Sequence, residues 1–209
     1  MLTINILNLC AAQLKRVQAW FLRFGVDYND LGGKMPKLSI NQKNWLLSAH
    51  VGFAALWTGA VLSMFLLSLR NTHSTNSDVL HTLDAAITLL DDWIVIPSAI
   101  GSVVTATFLC WVTNYGFTKF YWVITKWVLT TGLVIFGTFW LFPWGNVAAE
   151  LSGQEGLQAL DNPIYGFDAK GVLLGTVIQA LLLFVIIGIS VLKPWGRRPI
   201  KAKNQVSAN

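Results

Sequence analysis

The stretch GVLLGTVIQALLLFVIIGISVL, residues 171–192, decides the fold because it holds 22 consecutive residues without a charge. An α-helix of about 20 apolar residues crosses the roughly 30 Å hydrocarbon core of a bilayer. Three other stretches meet the same requirement: Asn44 to Leu69, Trp93 to Thr113, and Phe120 to Phe142. The sequence therefore predicts four transmembrane helices.

The composition of the whole chain supports residence in a membrane. Of its 209 residues, 54% are hydrophobic and 12% are charged, and the mean hydropathy is +0.55. Soluble domains carry about 25% charged residues, so a soluble fold of this size could not cover its surface. Because lipid cannot satisfy exposed backbone groups and no alternating barrel pattern appears, the spans must be helical. The predicted fold class is all-α, an integral membrane four-helix bundle.

Basic residues and tryptophans predict the orientation of this bundle. Lysine and arginine are concentrated before the first span and after the fourth, and they favour the cytoplasmic side. Tryptophans mark both membrane borders. We therefore expect a multi-pass protein of the bacterial inner membrane with both termini in the cytoplasm. The basic residues at the two ends are Lys15, Arg16, Arg23, Lys34, Lys37, Lys43, Lys193, Arg197, Arg198, Lys201 and Lys203.

This orientation also explains the net charge of +5, so no nucleic-acid partner is predicted and membrane lipids are the expected contact. The chain divides into residues 1–42, residues 43–193 and residues 194–209. The first part has an imperfect apolar face with a basic side, which predicts an amino-terminal interfacial amphipathic helix followed by a linker. A secretory signal fits less well because the basic residues follow the apolar stretch. The second part is the four-span bundle, and the third is a basic cytoplasmic tail.

Two polar residues within the spans are candidates for function, because polar side chains are costly inside a bilayer. His50 lies five residues beyond Trp45, about 7.5 Å into the membrane at the helical rise per residue. Lys126 lies six residues beyond Phe120, about 9 Å in from the same side. Since spans one and three run in the same direction, both side chains are predicted at similar depth and could face one cavity.

The chemistry of a buried imidazole suggests two classes of ligand. A neutral imidazole can bind haem iron as an axial ligand, or copper. Trp57 shares the helix face of His50, with Phe53 between them, and Lys126 could neutralise a propionate. The alternative is that His50 donates a hydrogen bond to a helix carbonyl while the Lys126 side chain extends to the cytoplasmic interface.

A second group of polar residues is predicted near the outer border. Asp91 and Asp92 precede Trp93, which places both carboxylates in the headgroup zone as hydrated groups. The alternative is an outer ion or proton site in which Arg70 pairs with them.

The remaining polar residues are assigned to loops and to helix packing. Residues 145–169 are expected to form an outer loop, and His73, Asp78, His81 and Asp84 a loop cluster in which zinc is an alternative to solvation. Gln179 is expected to make an interhelical hydrogen bond.

Short motifs in three spans resemble a known group of membrane proteins. Span one reads HVGFAALWTG from His50, span two contains Pro97 and Gly101, and span three contains YWVITKW, residues 121–127. This resembles small bacterial bundles that include copper-resistance D-type and DUF2269-like proteins. It is also similar to four-helix, haem-containing bacterial protoporphyrinogen oxidases. The resemblance implies that His50 is the axial ligand of haem b and that Lys126 is its essential basic partner.

The leading functional hypothesis is therefore a haem-b-binding membrane protein with a redox or porphyrin-related role, and whether it is an enzyme stays open. A haem with two axial histidines is not expected, since His73 and His81 lie on the outer side. The alternatives are a non-catalytic accessory subunit of a larger membrane complex and a permease for copper or another cation. Only three methionines are present, which disfavours copper transport. No phosphate-binding loop or nucleophile elbow is found, so no catalytic residue is assigned.

Overall fold

The structure is a computed structural model that describes residues 39–112 and 120–195. These residues form four helical rods, each long and apolar enough to cross a membrane. The predicted multi-pass membrane protein is confirmed at this level. The predicted interfacial helix in residues 1–38 and the tail from residue 196 lie outside the described residues.

The four rods contain six α-helices. The first rod is α1, and the fourth is α6. The second rod joins α2 to α3 through a π-helical turn, and the third joins α4 to α5 through another π-helical turn and continues into a 3-10 turn. In chain order the elements are α1 Ile40–Asn71, α2 Ser77–Leu90, the π-turn Asp91–Val95, α3 Ile96–Val112, α4 Tyr121–Phe136, the π-turn Gly137–Leu141, α5 Phe142–Glu155, the 3-10 turn Gly156–Asp161 and α6 Pro163–Leu192.

Capping residues explain where three of the helices begin. The Ser39 side chain accepts from the backbone N–H of Gln42, whose own side chain accepts from the backbone N–H of Ser39 at 2.9 Å. Asn76 caps α2 by accepting from the backbone N–H groups of its first turn. Asn162 caps α6, where Pro163 follows at a position that requires no backbone donor. Each cap satisfies N–H groups that a helix start leaves unpaired.

Prolines explain both π-helical turns. Pro97 follows the turn Asp91–Val95 by two residues, and Pro143 follows the turn Gly137–Leu141 by two residues. Proline has no backbone N–H, and its ring clashes with the carbonyl four residues earlier. Widening the helix by one residue before each proline relieves that clash, and the backbone N–H of Ile96 donates to Asp91 while that of Phe142 donates to Gly137.

The second, third and fourth helical rods are longer than the sequence predicts at the end of the bundle opposite Ser39 and Trp195, which we call the outer end. The expected outer loop over residues 145–169 is wrong, because α5, the 3-10 turn and the start of α6 occupy it. The segment with Asp78, His81 and Asp84 is also helical rather than a loop. These extensions pack around Leu80, Ala148 and Tyr165, all buried. A hydropathy criterion misses them because they carry too many polar residues.

Contacts between the rods align their depths and place seven of the described tryptophans in two layers. Asn71 of α1 meets Tyr165 of α6, and Gly175 of α6 meets Leu141 of the third rod. With this alignment the inner and outer tryptophans are separated by about 18 residues of helix, or roughly 27 Å. That separation matches a hydrocarbon core of about 30 Å. The inner layer contains Trp45, Trp111, Trp122 and Trp195, and the outer layer contains Trp93, Trp140 and Trp144.

Candidate functional site

The imidazole of His50 is fixed against helix α3. Its Nδ1 lies 3.1 Å from the carbonyl oxygen of Ser102 and 3.0 Å from the hydroxyl of Thr105. The Thr105 hydroxyl itself donates to the carbonyl of Gly101 at 2.7 Å. Because that hydroxyl proton is already used, Nδ1 is best assigned as the protonated nitrogen that donates to Ser102.

This assignment leaves the other ring nitrogen as the acceptor. Within residues 39–112 and 120–195, no hydrogen bond to His50 Nε2 is present. A histidine that binds a metal commonly donates its other N–H to a carbonyl, which fixes the ring and the tautomer. The contact between His50 Nδ1 and the Ser102 carbonyl is the one expected of a structural histidine, and metal-binding histidines make the same kind of contact.

Lys126 lies in the same half of the bundle as His50. By the alignment of the rods it lies about four residues of helix, or roughly 6 Å, further inward. Among the described residues no hydrogen bond joins the Lys126 and His50 side chains. Lys126 Nζ lies 5.9 Å from the centre of the Trp122 ring, and Lys193 Nζ lies at the same distance. The structure thus brings His50 and Lys126 to one region of the bundle.

Phe53 and Trp57 pack differently from the expected slot. A Cβ added to Gly101 would lie 2.7 Å from the Phe53 ring, so this ring fills the contact between α1 and α3. Trp57 is 2% exposed and belongs to the main core with Val61 and Leu183. Trp57 is therefore enclosed by the core, whereas Phe53 packs on α3 and keeps part of its surface exposed.

Helix α4 has no extended backbone contact with α1 among the described residues. It packs chiefly against α6, whereas α1 packs against both α3 and α6. Helix α3 approaches α4 where Cys110 contacts Trp127, close to the connection between them. His50 on α1 and Lys126 on α4 therefore lie on helices that are not packed along each other.

The described surface includes two clefts. One, of about 190 Å³, is lined by Asn41, Asn44, Trp45 and Ser48. The other, of about 210 Å³, lies between α4 and α6 and is almost wholly apolar. Neither is lined by His50 or Lys126.

The outer carboxylates are not paired with Arg70. Since Asn71 hydrogen-bonds Asp84, Arg70 lies near the level of Asp84, and Asp91 is seven residues, about 10 Å, further inward. No ion pair between Arg70 and Asp91 or Asp92 is present in the part of the chain that is described. Both carboxylates belong to a π-helical turn beside the exposed Trp93, in the outer tryptophan layer. Asp92 is exposed, which fits the hydrated interpretation, whereas Asp91 is partly buried and fits neither interpretation fully.

A buried polar network at the outer end was missed by the sequence analysis. Asp84, 5% exposed, accepts from the amide of Asn71 at 2.7 Å and from the hydroxyl of Tyr165 at 3.0 Å. Asn71 also accepts from the hydroxyl of Ser74 at 2.9 Å. The helical spacing of Leu80, Asp84 and Ile87 was the available signal, since all three are buried on one face of α2.

A zinc site in this region is not formed. Among the described residues, no group of three His, Cys, Asp or Glu side chains is placed to hold a metal ion. His73 and His81 are both exposed. Axial ligation of haem requires a single histidine and is a separate case.

Comparisons with known proteins add no relationship. A scan against protein-family models and searches of curated proteins and of solved structures found no match to this chain.

Proposed function

We propose that this protein is a haem-b-binding membrane protein with a redox or porphyrin-related role. The observation that carries the proposal is the His50 imidazole, whose Nδ1 is held by the carbonyl of Ser102 while Nε2 has no hydrogen-bond partner among the described residues. This is the arrangement in which an imidazole is oriented and basic enough to bind iron. The likeness of the first three spans to DUF2269-like and haem-containing bundles supports the same proposal.

The side chains around His50 fit a bound haem in part. His50 supplies the axial nitrogen, and the ammonium of Lys126 supplies a positive charge for a propionate. Phe53 and Trp57 act indirectly, because they hold α1 in place by packing against α3 and within the core. Haem bound there would supply one-electron chemistry at iron.

The test is an absorption spectrum of the full-length protein purified after expression with ample haem. A Soret band is expected for the natural sequence and is expected to disappear in His50→Ala. His73→Ala is the matched control, since His73 is exposed at the outer end and should leave the band unchanged. Lys126→Met is expected to weaken haem retention without abolishing the band. Absence of a Soret band from the natural sequence, or its persistence in His50→Ala, would contradict the proposal.

The location proposed for this site is the cytoplasmic half of the bacterial inner membrane. Basic residues flank the inner end of the first and fourth spans, which favours a cytoplasmic position for both termini. Single cysteines placed at Asn76 and at Lys43, in a chain with Cys10 and Cys110 replaced by serine, provide the test. A membrane-impermeant thiol reagent added to intact cells should label position 76 and spare position 43, and the reverse pattern would invert the orientation.

A second candidate function, an accessory subunit of a larger membrane complex, is favoured by apolar side chains at the outer end. Leu160, Ile164 and Phe167 are 48%, 57% and 65% exposed. By the alignment of the rods Leu160 and Ile164 lie beyond the outer tryptophan layer, where lipid tails would not cover them, while the Phe167 ring packs edge-on against Trp144 of that layer with 5.8 Å between ring centres. Stoichiometric co-purification of another membrane protein, lost in Leu160→Ser with Ile164→Ser, would support this function.

A further inference from the structure

Two lysines lie on one tryptophan ring where α4 and α6 meet at the inner end. Nζ of Lys126 on α4 and Nζ of Lys193 at the end of α6 are each 5.9 Å from the centre of the Trp122 ring, which is a cation–π distance. The two ammonium groups are therefore no further apart than twice 5.9 Å. Trp122 belongs to the inner tryptophan layer, so both positive charges lie at the level of the lipid headgroups.

The backbone at Lys193 indicates that its side chain matters at this position. Lys193 ends α6 in the left-handed conformation, with φ 45 and ψ 55, and it is the only non-glycine residue with a positive φ in the described ranges 39–112 and 120–195. Glycine usually occupies this position after a helix, because a Cβ disfavours the left-handed conformation. The chain therefore keeps a lysine where it costs conformational energy, and the side chain of that lysine contacts the Trp122 ring.

The inner end of the bundle carries charge of one sign. The sequence has no aspartate or glutamate in residues 31–77, 93–149 and 169–209, which contain the inner halves of all four spans. Two ammonium groups near one ring repel each other, and a bound anion reduces that repulsion. An anion at the level of the headgroups is therefore the ligand that this charge favours.

The apolar cleft between α4 and α6 runs outward from this pair of lysines. Leu129 and Phe136 line the cleft and follow Trp122 by seven and fourteen residues, about two and four helical turns, so they continue its face of α4. On α6, Leu182 lines the cleft and precedes Lys193 by eleven residues, about three turns. The lysines and the cleft therefore lie on one side of the contact between α4 and α6.

The cleft has the chemistry and the length of a site for a hydrocarbon chain. All seven of its lining residues are apolar, and two of them, Val128 and Ile178, are 66% and 50% exposed on helices long enough to span a bilayer. From Val128 to Phe136 the cleft extends over eight residues of helix, about 12 Å. The hydrocarbon of one leaflet is about 15 Å deep, half of the whole core, so the cleft fits within one leaflet.

We propose that this face of α4 and α6 binds an anionic phospholipid, whose phosphate is held by Lys126 and Lys193 and whose acyl chain lies in the apolar cleft. Such a lipid carries a negative charge at the headgroup level and a hydrocarbon chain directly below it, in the order in which the lysines and the cleft are placed. Basic pockets between transmembrane helices bind anionic headgroups in this way. Lys126 is shared with the proposed haem site, whereas Lys193 and the cleft are not.

The test is a titration of the full-length protein in detergent with phosphatidylglycerol or with phosphatidylcholine of the same acyl chains, in which native mass spectrometry counts the bound lipid. Lys193→Gln and Lys126→Gln each remove one ammonium group. Lys170→Gln is their matched control, since Lys170 is exposed on the same helix as Lys193 but near the outer end. Gly132→Leu fills the cleft, and Gly52→Leu is its control, because a Cβ at either glycine meets nothing within 4 Å.

The natural sequence should bind phosphatidylglycerol more tightly than phosphatidylcholine. Lys193→Gln and Lys126→Gln should each weaken phosphatidylglycerol binding about fivefold and change phosphatidylcholine binding little, whereas a role of Lys193 only as a helix cap would leave the preference intact. Gly132→Leu should weaken binding of both lipids, and the two control variants should bind as the natural sequence does. His50→Ala should keep the preference for phosphatidylglycerol, which separates this site from the proposed haem site.

Three results would overturn the proposal in variants whose helical circular dichroism is unchanged. The first is equal affinity of the natural sequence for the two lipids, or an unchanged preference in Lys126→Gln with Lys193→Gln. The second is a preference that appears only after Asp27→Asn with Asp30→Asn, which would assign the lysines to acidic residues of the amino-terminal segment. The third is full displacement of the lipid by inorganic phosphate at the same concentration, which would indicate a site for a free anion.

Discussion

Replacing Tyr165 by phenylalanine tests the outer polar network with the least disturbance of packing. The Tyr165 hydroxyl donates to the Asp84 carboxylate at 3.0 Å, and Asn71 donates to the other carboxylate oxygen at 2.7 Å. The Tyr165 ring is 4% exposed and packs with Leu80 and Ala148. Phenylalanine keeps that ring, so the substitution removes a hydrogen bond without leaving a large cavity.

The magnitude follows from the burial of the acceptor. A hydrogen bond to a charged group contributes about 1.5–3 kcal/mol, and a buried acceptor that loses its donor bears the desolvation cost. Asp84 is 5% exposed, so water cannot readily replace the Tyr165 hydroxyl. We expect Tyr165→Phe to lower the free energy of unfolding by about 2 kcal/mol, or roughly 30-fold in the unfolding equilibrium constant.

The assay is reversible unfolding in mixed detergent micelles, followed by circular dichroism. Tyr121→Phe is the control because Tyr121 is 46% exposed, and its effect should stay within about 0.5 kcal/mol. In an Asp84→Leu background Tyr165→Phe should lose most of its effect, since the acceptor is gone. Equal effects of Tyr165→Phe and Tyr121→Phe, or an undiminished effect in that background, would refute this account.

Two further predictions concern glycines and use the same unfolding assay. Gly101→Ala should lower the free energy of unfolding by about 1–3 kcal/mol, because the new Cβ would lie 2.7 Å from the Phe53 ring. Adding Phe53→Leu should recover part of this loss. Gly52→Ala is the control, since its Cβ meets nothing within 4 Å and causes no such clash. Gly156→Ala should lower the free energy of unfolding by at least about 1 kcal/mol, because Gly156 has φ +60. The added Cβ would also lie 2.5 Å from Ser77 Oγ, so the loss should persist when Ser77 is changed to alanine as well. Full recovery of stability in the double variant would contradict the backbone explanation.

The sequence predicted the number of spans but not the length of the helices. Apolar runs identify the parts that cross lipid, and all four appear as helices in the structure. The extensions Ser77–Leu90 and Phe142–Glu155 carry mixed polarity, so a hydropathy criterion treats them as loops. The first of these segments did carry local signals for a helix, namely the capping residue Asn76 and the periodic Leu80, Asp84 and Ile87.

The candidate site was predicted in part. The similar depth of His50 and Lys126 follows from counting residues along two parallel spans, and the structure places them in one half of the bundle. The positions of Phe53 and Trp57 could not be derived in the same way. A helix face is known from the sequence, but which neighbour covers that face depends on the packing of α3 and α6.

The sequence by itself determined the local structure of each segment. Transfer of apolar side chains into lipid, the caps at Ser39 and Asn162, and the missing N–H of Pro97 and Pro143 are local properties that depend only on neighbouring residues. Tertiary structure decided which polar atoms meet. The contact between His50 Nδ1 and the Ser102 carbonyl and the burial of Asp84 and Gln179 depend on rotation and register between helices. Those are set by side-chain packing across residues far apart in the chain, where sequence spacing gives no measure of distance.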